Sequence, residues 1–124
     1  MRARGFTLIE LLVVMAILAL LLTIAVPRYL AHVDRSREAV LRQNLSLMRD
    51  AIDKHHADKG RYPDSLGELV TQRYLRAVPA DPVTGREDTW AVLPPPPGSD
   101  PGAVYDVRSG AEGNGVDGTP YGTW

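Results

Sequence analysis

The sequence contains no cysteine. Disulfide staples, thiolate metal sites and a cysteine nucleophile are therefore excluded. Aromatic residues are scarce, with one phenylalanine and two tryptophans, so a globular core must be built from little. No charge of one sign dominates, since the formal net charge is -1. There is accordingly no field to attract nucleic acid, and no basic stripe with interleaved aromatics to hold phosphates and stack bases. No phosphate-binding glycine loop sits at a strand-to-helix junction, and no histidine stands in motif relation to a serine and an acid. Catalysis lacks its parts. At 124 residues the chain suffices for one small domain plus an anchor, not for two independent cores.

What is abundant is concentrated at the start. Residues 1–5 form a short leader with Arg2 and Arg4, and Phe6 to Val26 then reads FTLIELLVVMAILALLLTIAV. As a helix this run reaches roughly 30 Å, the thickness of a bilayer core. Arginines on the short side favour a cytoplasmic N-terminus, with the remainder on the far side of the membrane. An ordinary secretory signal would be shorter and end at a small-residue cleavage site, whereas Pro27-Arg28-Tyr29 follows here. A plain anchor explains the length but not Glu10. A carboxylate inside a spanning helix costs about 2.5–3.5 kcal/mol or more. Its partner must come from a new terminus or from another subunit. A cut between Gly5 and Phe6 would free an α-amino group one helical turn from Glu10, within reach of ion pairing.

The string Arg4-Gly5-Phe6-Thr7-Leu8-Ile9-Glu10, followed by its long apolar run, resembles the class III signal of type IV pilins and pseudopilins. The resemblance implies that a prepilin peptidase cuts after Gly5 on the cytoplasmic side and methylates the new terminal Phe6. It implies that Glu10 serves assembly into a filament, and that Pro27 bends or loosens the helix there. The implied fold is α+β and pilin-like: one long N-terminal helix packed on a small antiparallel sheet.

The expected organisation is a leader over 1–5, a membrane and assembly helix over 6–27, its amphipathic half over 28–59, and a small domain over 60–124. In the amphipathic half, Leu41, Leu45, Met48 and Ile52 form one apolar stripe, the seat of the sheet. Arg35, Arg37, Glu38, Arg42, Arg49, Asp50, Asp53 and Lys54 mostly fall on other faces and read as solvated. His32, His55 and His56 make no metal motif and read as surface or half-buried residues. Gly60 is the expected helix cap, and Ser65 caps a short helix over 66–72. Thr89 to Leu93 and Ala103 to Val107 read as paired strands, separated by the proline run 94–97, a rigid exposed connector.

The glycine-rich tail ends in Tyr121 and Trp124, which should pack back on the sheet. Asp106, Ser109, Glu112, Asn114 and Asp117 offer hard oxygen ligands there, chemistry suited to calcium, which the resembling major pseudopilins often bind in this loop. A metal-free loop held by aromatic packing is the other reading. The Gly60-Arg61-Tyr62-Pro63 link also resembles the major, G-type pseudopilin of type II secretion. The expected role is a subunit of the secretion pseudopilus, single-pass in the bacterial inner membrane, with its C-terminal domain periplasmic. Its expected partners are further copies, other pseudopilins, the prepilin peptidase and the assembly platform, with no nucleic acid. The alternative is a type IV pilin of a surface fibre for adhesion, motility or DNA uptake.

Overall fold

The computed structural model describes residues 4–124; Met1, Arg2 and Ala3 of the leader lie outside the described residues. Helix α1 runs Leu8–Lys59 without a break. Leucine, alanine, methionine, arginine and glutamate, all strong helix formers, supply much of it. Gly60 ends it at φ +68, with its N–H donating to the His56 carbonyl at 2.9 Å. That left-handed cap suits glycine, which has no Cβ to clash. Pro27 sits inside α1, and the helix continues on both sides of it. The proline has no N–H for the Thr23 carbonyl. One turn earlier, the Thr23 hydroxyl donates to the Ala19 carbonyl at 2.8 Å.

The chain divides into two compact units, one ending at Asp34 and one running Arg35–Trp124. The first consists chiefly of the apolar part of α1. Its large apolar side chains from Phe6 to Val26 are each about half exposed or more. Such a surface requires lipid or other helices to cover it. It belongs to the one helix, among the described residues, long and apolar enough to cross a membrane.

In the second unit the expected stripe is the core: Leu41, Leu45, Met48 and Ile52 are all essentially inaccessible. Each buried side chain of this size contributes roughly 1.5–3 kcal/mol. They pack with Leu69, Leu75, Trp90, Val104 and Val107. Leu69 comes from α2, Leu66–Thr71. Ser65 caps α2, its hydroxyl accepting the Glu68 N–H at 3.2 Å, as its place before the helix predicts.

Strands β1 (Ala91–Leu93) and β2 (Asp106–Arg108) pair antiparallel, with Val92 opposite Val107. The second strand thus starts later than the predicted Ala103 to Val107. The N–H groups of Ala103 and Val104 both donate to the Pro63 carbonyl, at 3.1 and 2.9 Å, so this stretch pairs with the link after α1. Of the strand residues only Val107 is fully buried. The stripe therefore rests mostly on α2 and loops, and less on sheet than its period suggests. Between the strands the prolines end in a tight turn, where Ser99 N–H donates to the Pro96 carbonyl and Gly98 takes φ +83. One long helix with a two-stranded antiparallel sheet is the α+β, pilin-like arrangement the sequence predicts.

Candidate functional site

The start of α1 is built around Thr7 and Glu10. The Thr7 N–H donates to the Glu10 carboxylate at 3.2 Å, and the Glu10 N–H donates to the Thr7 hydroxyl at 3.2 Å. This is a reciprocal capping box, which satisfies two N–H groups at a helix start. The threonine-x-x-glutamate spacing announces it in the sequence, but the carboxylate's apolar surroundings draw attention to its cost instead. A negative charge in the first turn also complements the helix dipole. Glu10 further lines an open apolar hollow of about 550 Å³ with Phe6, Ile9, Val13 and Val14. Just before it, Gly5 and Phe6 lie outside the helix, and Phe6 is 90% exposed.

The other candidate region is the C-terminal loop, and the structure gives the side-chain oxygens of Asp106, Ser109 and Asp117 to protein partners. Asp106 accepts from Arg49 Nε at 2.9 Å and from the Val107 N–H at 2.8 Å. Buried Ser109 donates to Asp81 at 2.6 Å and accepts the Ala111 N–H at 3.1 Å. Asn114 bridges to Pro120, and Glu112 is exposed. Asp117 accepts both the hydroxyl and the N–H of Thr119, at 2.6 and 3.0 Å, with Arg42 at 3.6 Å. The Thr119 hydroxyl, then its N–H, and Arg42 more weakly hold the Asp117 carboxyl below its ordinary value. A lowered carboxyl favours the folded loop above the ordinary carboxylate range, and that contribution is lost as pH falls. Among the described residues, no three histidine, aspartate or glutamate side chains gather as a group that could hold a metal.

Tyr121 and Trp124 pack against the core, as their place in a glycine-rich tail predicts, and meet edge to face at 5.1 Å. Gly115 makes room for them, since a Cβ there would come within 2.4 Å of the Trp124 ring. Three α1 residues that read as solvated hold this tail in place. Glu38 accepts the Val116 N–H at 2.6 Å and the Tyr121 hydroxyl at 3.1 Å. Arg42 lies 3.9 Å over the Trp124 ring. Arg49 donates to Asp106 and to the carbonyls of Val107 and Trp124. Their spacing, i, i+4 and i+11, repeats that of the apolar stripe, which is the signal that could have found them. Asp81 was likewise hidden. Its fully buried carboxylate accepts from Ser109 and from the Val83 N–H at 2.8 Å, closing the loop around Pro82.

Of the three histidines, His32 is exposed and His56 half-buried, as expected, and His55 departs. His55 is 1% exposed, a core residue and no surface one. His56 points elsewhere, as adjacency on a helix requires, and its Nε2 lies 2.7 Å from Asp100 with its ring stacked on Tyr62.

Residues 1–26 match the family described as the prokaryotic N-terminal methylation motif. The chain is similar to the type II secretion system core protein G of Dickeya chrysanthemi, 27% identical over 146 aligned positions that cover 94% of this chain and 95% of the relative. The alignment is longer than the chain, so that relative carries residues this one lacks. The core protein G of Klebsiella michiganensis is 29% identical over 98 positions, 66% of this chain and 69% of the relative. The type IV major pilin protein PilA of Myxococcus xanthus is 38% identical over 68 positions, 55% of this chain but 31% of the relative. The chain thus spans about a third of the pilin's length and two thirds or more of these two core G proteins. No solved structure matches significantly. The methylation motif, the capped apolar helix and the length-wide similarity to core protein G together support a pseudopilin or type IV pilin-like protein.

Proposed function

We propose that this chain is a structural subunit of a type II secretion pseudopilus. The carrying observation is the combination of the N-terminal motif at 1–26 with similarity to core protein G along nearly the whole chain. A prepilin peptidase cuts the exposed Gly5–Phe6 bond and methylates Phe6. The freed α-amino group then stands one turn from Glu10, on its own helix or a neighbour's. Copies stack through their apolar helices, and Pro27 gives the helix a point of yield in the fibre. The N-terminus faces the cytoplasm, the domain from Arg35 lies in the periplasm, and other pseudopilins and an inner-membrane platform are its partners. The growing fibre pushes folded proteins toward an outer-membrane channel.

The loop needs no cofactor in this reading. Arg42 and Arg49 sit beside its acids, and the tail aromatics close it. A calcium ion on Asp106, Ser109, Glu112, Asn114 and Asp117 is the competing proposal.

Mass spectrometry of the membrane-extracted protein tests the core of the proposal. The expected chain starts at methylated Phe6, and an intact Met1 terminus would refute polymerisation by this route. The second reading, a surface pilin, draws on the higher identity to PilA over a shorter span. Deleting the gene separates the two: lost protein export supports the pseudopilus, and lost surface fibres with normal export support the pilus.

A further inference from the structure

The apolar run is followed by more arginine than precedes it. Arg28, Arg35 and Arg37 come soon after Val26, whereas the leader holds Arg2 and Arg4. Asp34 is the one acid among residues 27–37. The next acid, Glu38, is turned to the tail, where it accepts from Val116 and Tyr121. Membrane helices normally carry their richer basic flank in the cytoplasm. In the orientation proposed above, this flank faces the opposite way. A cut at Gly5–Phe6 also removes Arg2 and Arg4, so the processed helix keeps arginine only beyond its far end. A basic cluster held against the usual bias points to a use on the far side.

Part of the cluster forms one face of α1. Arg28, His32 and Arg35 stand at i, i+4 and i+7 of the same continuous helix. All three are exposed, and none makes a hydrogen bond or ion pair with another described residue. The i+7 steps from Arg28 to Arg35 lead on to Arg42 and Arg49, which do have partners. Arg42 covers the Trp124 ring, and Arg49 donates to the Trp124 carbonyl. The first two arginines of the row thus lack the intramolecular role of the last two. Beside them Tyr29 is 68% exposed.

Their height on the helix fits a bilayer surface. With Val26 at the end of the hydrocarbon, Arg28 follows by ~3 Å and Arg35 by ~14 Å along the axis. The headgroup layer on each side is roughly 5–7 Å deep. Helical side chains lean toward the helix N-terminus, here toward the bilayer, so the long Arg35 side chain reaches back to that layer. A guanidinium fork matches phosphate oxygens, and a tyrosine ring suits the boundary of hydrocarbon and water.

We propose that Arg28 and Arg35, with Tyr29 beside them, form a collar that binds headgroup phosphates of anionic phospholipids and seats the processed subunit in the far leaflet. The inference rests on the membrane-inserted orientation proposed above. Each arginine at such a surface favours anionic lipid by about fivefold, and less as salt rises.

Electron spin resonance of the full chain, reconstituted in phosphatidylcholine vesicles, tests the collar. Spin-labelled phosphatidylglycerol and phosphatidylcholine report their relative association with the protein. An Arg2→Gln/Arg4→Gln background removes the leader's own attraction. That chain should still favour phosphatidylglycerol several-fold, and adding Arg28→Gln/Arg35→Gln should bring the ratio close to one. A ratio near one from the outset, or one that survives the second pair of substitutions, overturns the collar. A preference lost in inorganic phosphate but kept in chloride of equal ionic strength assigns the arginines to free phosphate and also overturns it. Carbonate extraction separates the collar from the reading beneath it. An inserted chain with no lipid preference loses only the collar, whereas a chain that carbonate strips from the vesicles refutes the spanning helix and the collar together.

Discussion

Arg49, in the middle of α1, donates a 2.8 Å hydrogen bond to the carbonyl of Trp124, 75 residues further along the chain. The same guanidinium binds Asp106 and the Val107 carbonyl, each at 2.9 Å, so one side chain ties the helix, β2 and the tail. Arg49→Ala should cost about 2–3 kcal/mol, because three charge-assisted bonds are lost and their acceptors are left half-buried. Arg49→Lys should recover only part, since an ammonium lacks the planar fork that reaches three acceptors. Denaturant titration followed by tryptophan fluorescence measures both.

Asp81 closes its loop from inside the protein, with no accessible surface. Asp81→Ala should cost about 2–3 kcal/mol, leaving the Ser109 hydroxyl and the Val83 N–H without their acceptor. Asp81→Asn should cost less, because its oxygen still accepts from Val83 and the Ser109 hydroxyl can rotate to accept. Melting temperatures of the two variants should fall in that order.

Glu10 carries two roles that substitution can separate. Glutamine preserves the capping box with Thr7 and removes the charge, whereas alanine removes both. If the charge drives assembly, both variants insert in the membrane and neither forms filaments in electron micrographs. Filaments from Glu10→Gln alone would assign the residue to helix capping.

The C-terminal loop gives a metal test. Asp117 is bound by Thr119 and Arg42, and Asp106 by Arg49. The melting temperature should be the same in excess calcium and in excess chelator. A rise of several degrees with calcium would establish the cation site and displace the metal-free proposal.

Arg73 follows α2 in a left-handed conformation, φ +66, the one non-glycine residue with positive φ among those described. Its N–H donates to the Val70 carbonyl and that of Tyr74 to the Leu69 carbonyl, the paired bonds of a Schellman cap, where glycine is usual. Arg73→Gly relieves a backbone penalty of about 1–2 kcal/mol and adds about 0.5–1 kcal/mol of unfolded-chain entropy. The variant should be more stable by about 0.5–1 kcal/mol in denaturant titration.

The sequence by itself determined what depends on spacing along the chain. The apolar run to Val26, the core stripe from Leu41 to Ile52, the cap at Gly60 and the Ser65 start of α2 are local features, fixed by helical period and by backbone preference. The N-terminal motif that holds Gly5, Phe6 and Glu10 was legible for the same reason, as neighbours in one short string. Tertiary structure alone decided the rest, because those contacts join residues far apart in the chain. Nothing near Arg49 announces Trp124, and nothing near Ser109 announces Asp81. Adjacent histidines differ in period: His55, three residues past Ile52, continues the buried stripe, whereas the partner of His56, Asp100, could be named only from the fold. The second strand slipped for a related reason. Its first residues have strand composition, but the Pro63 carbonyl, with no place in a helix or sheet of its own, takes their N–H groups first.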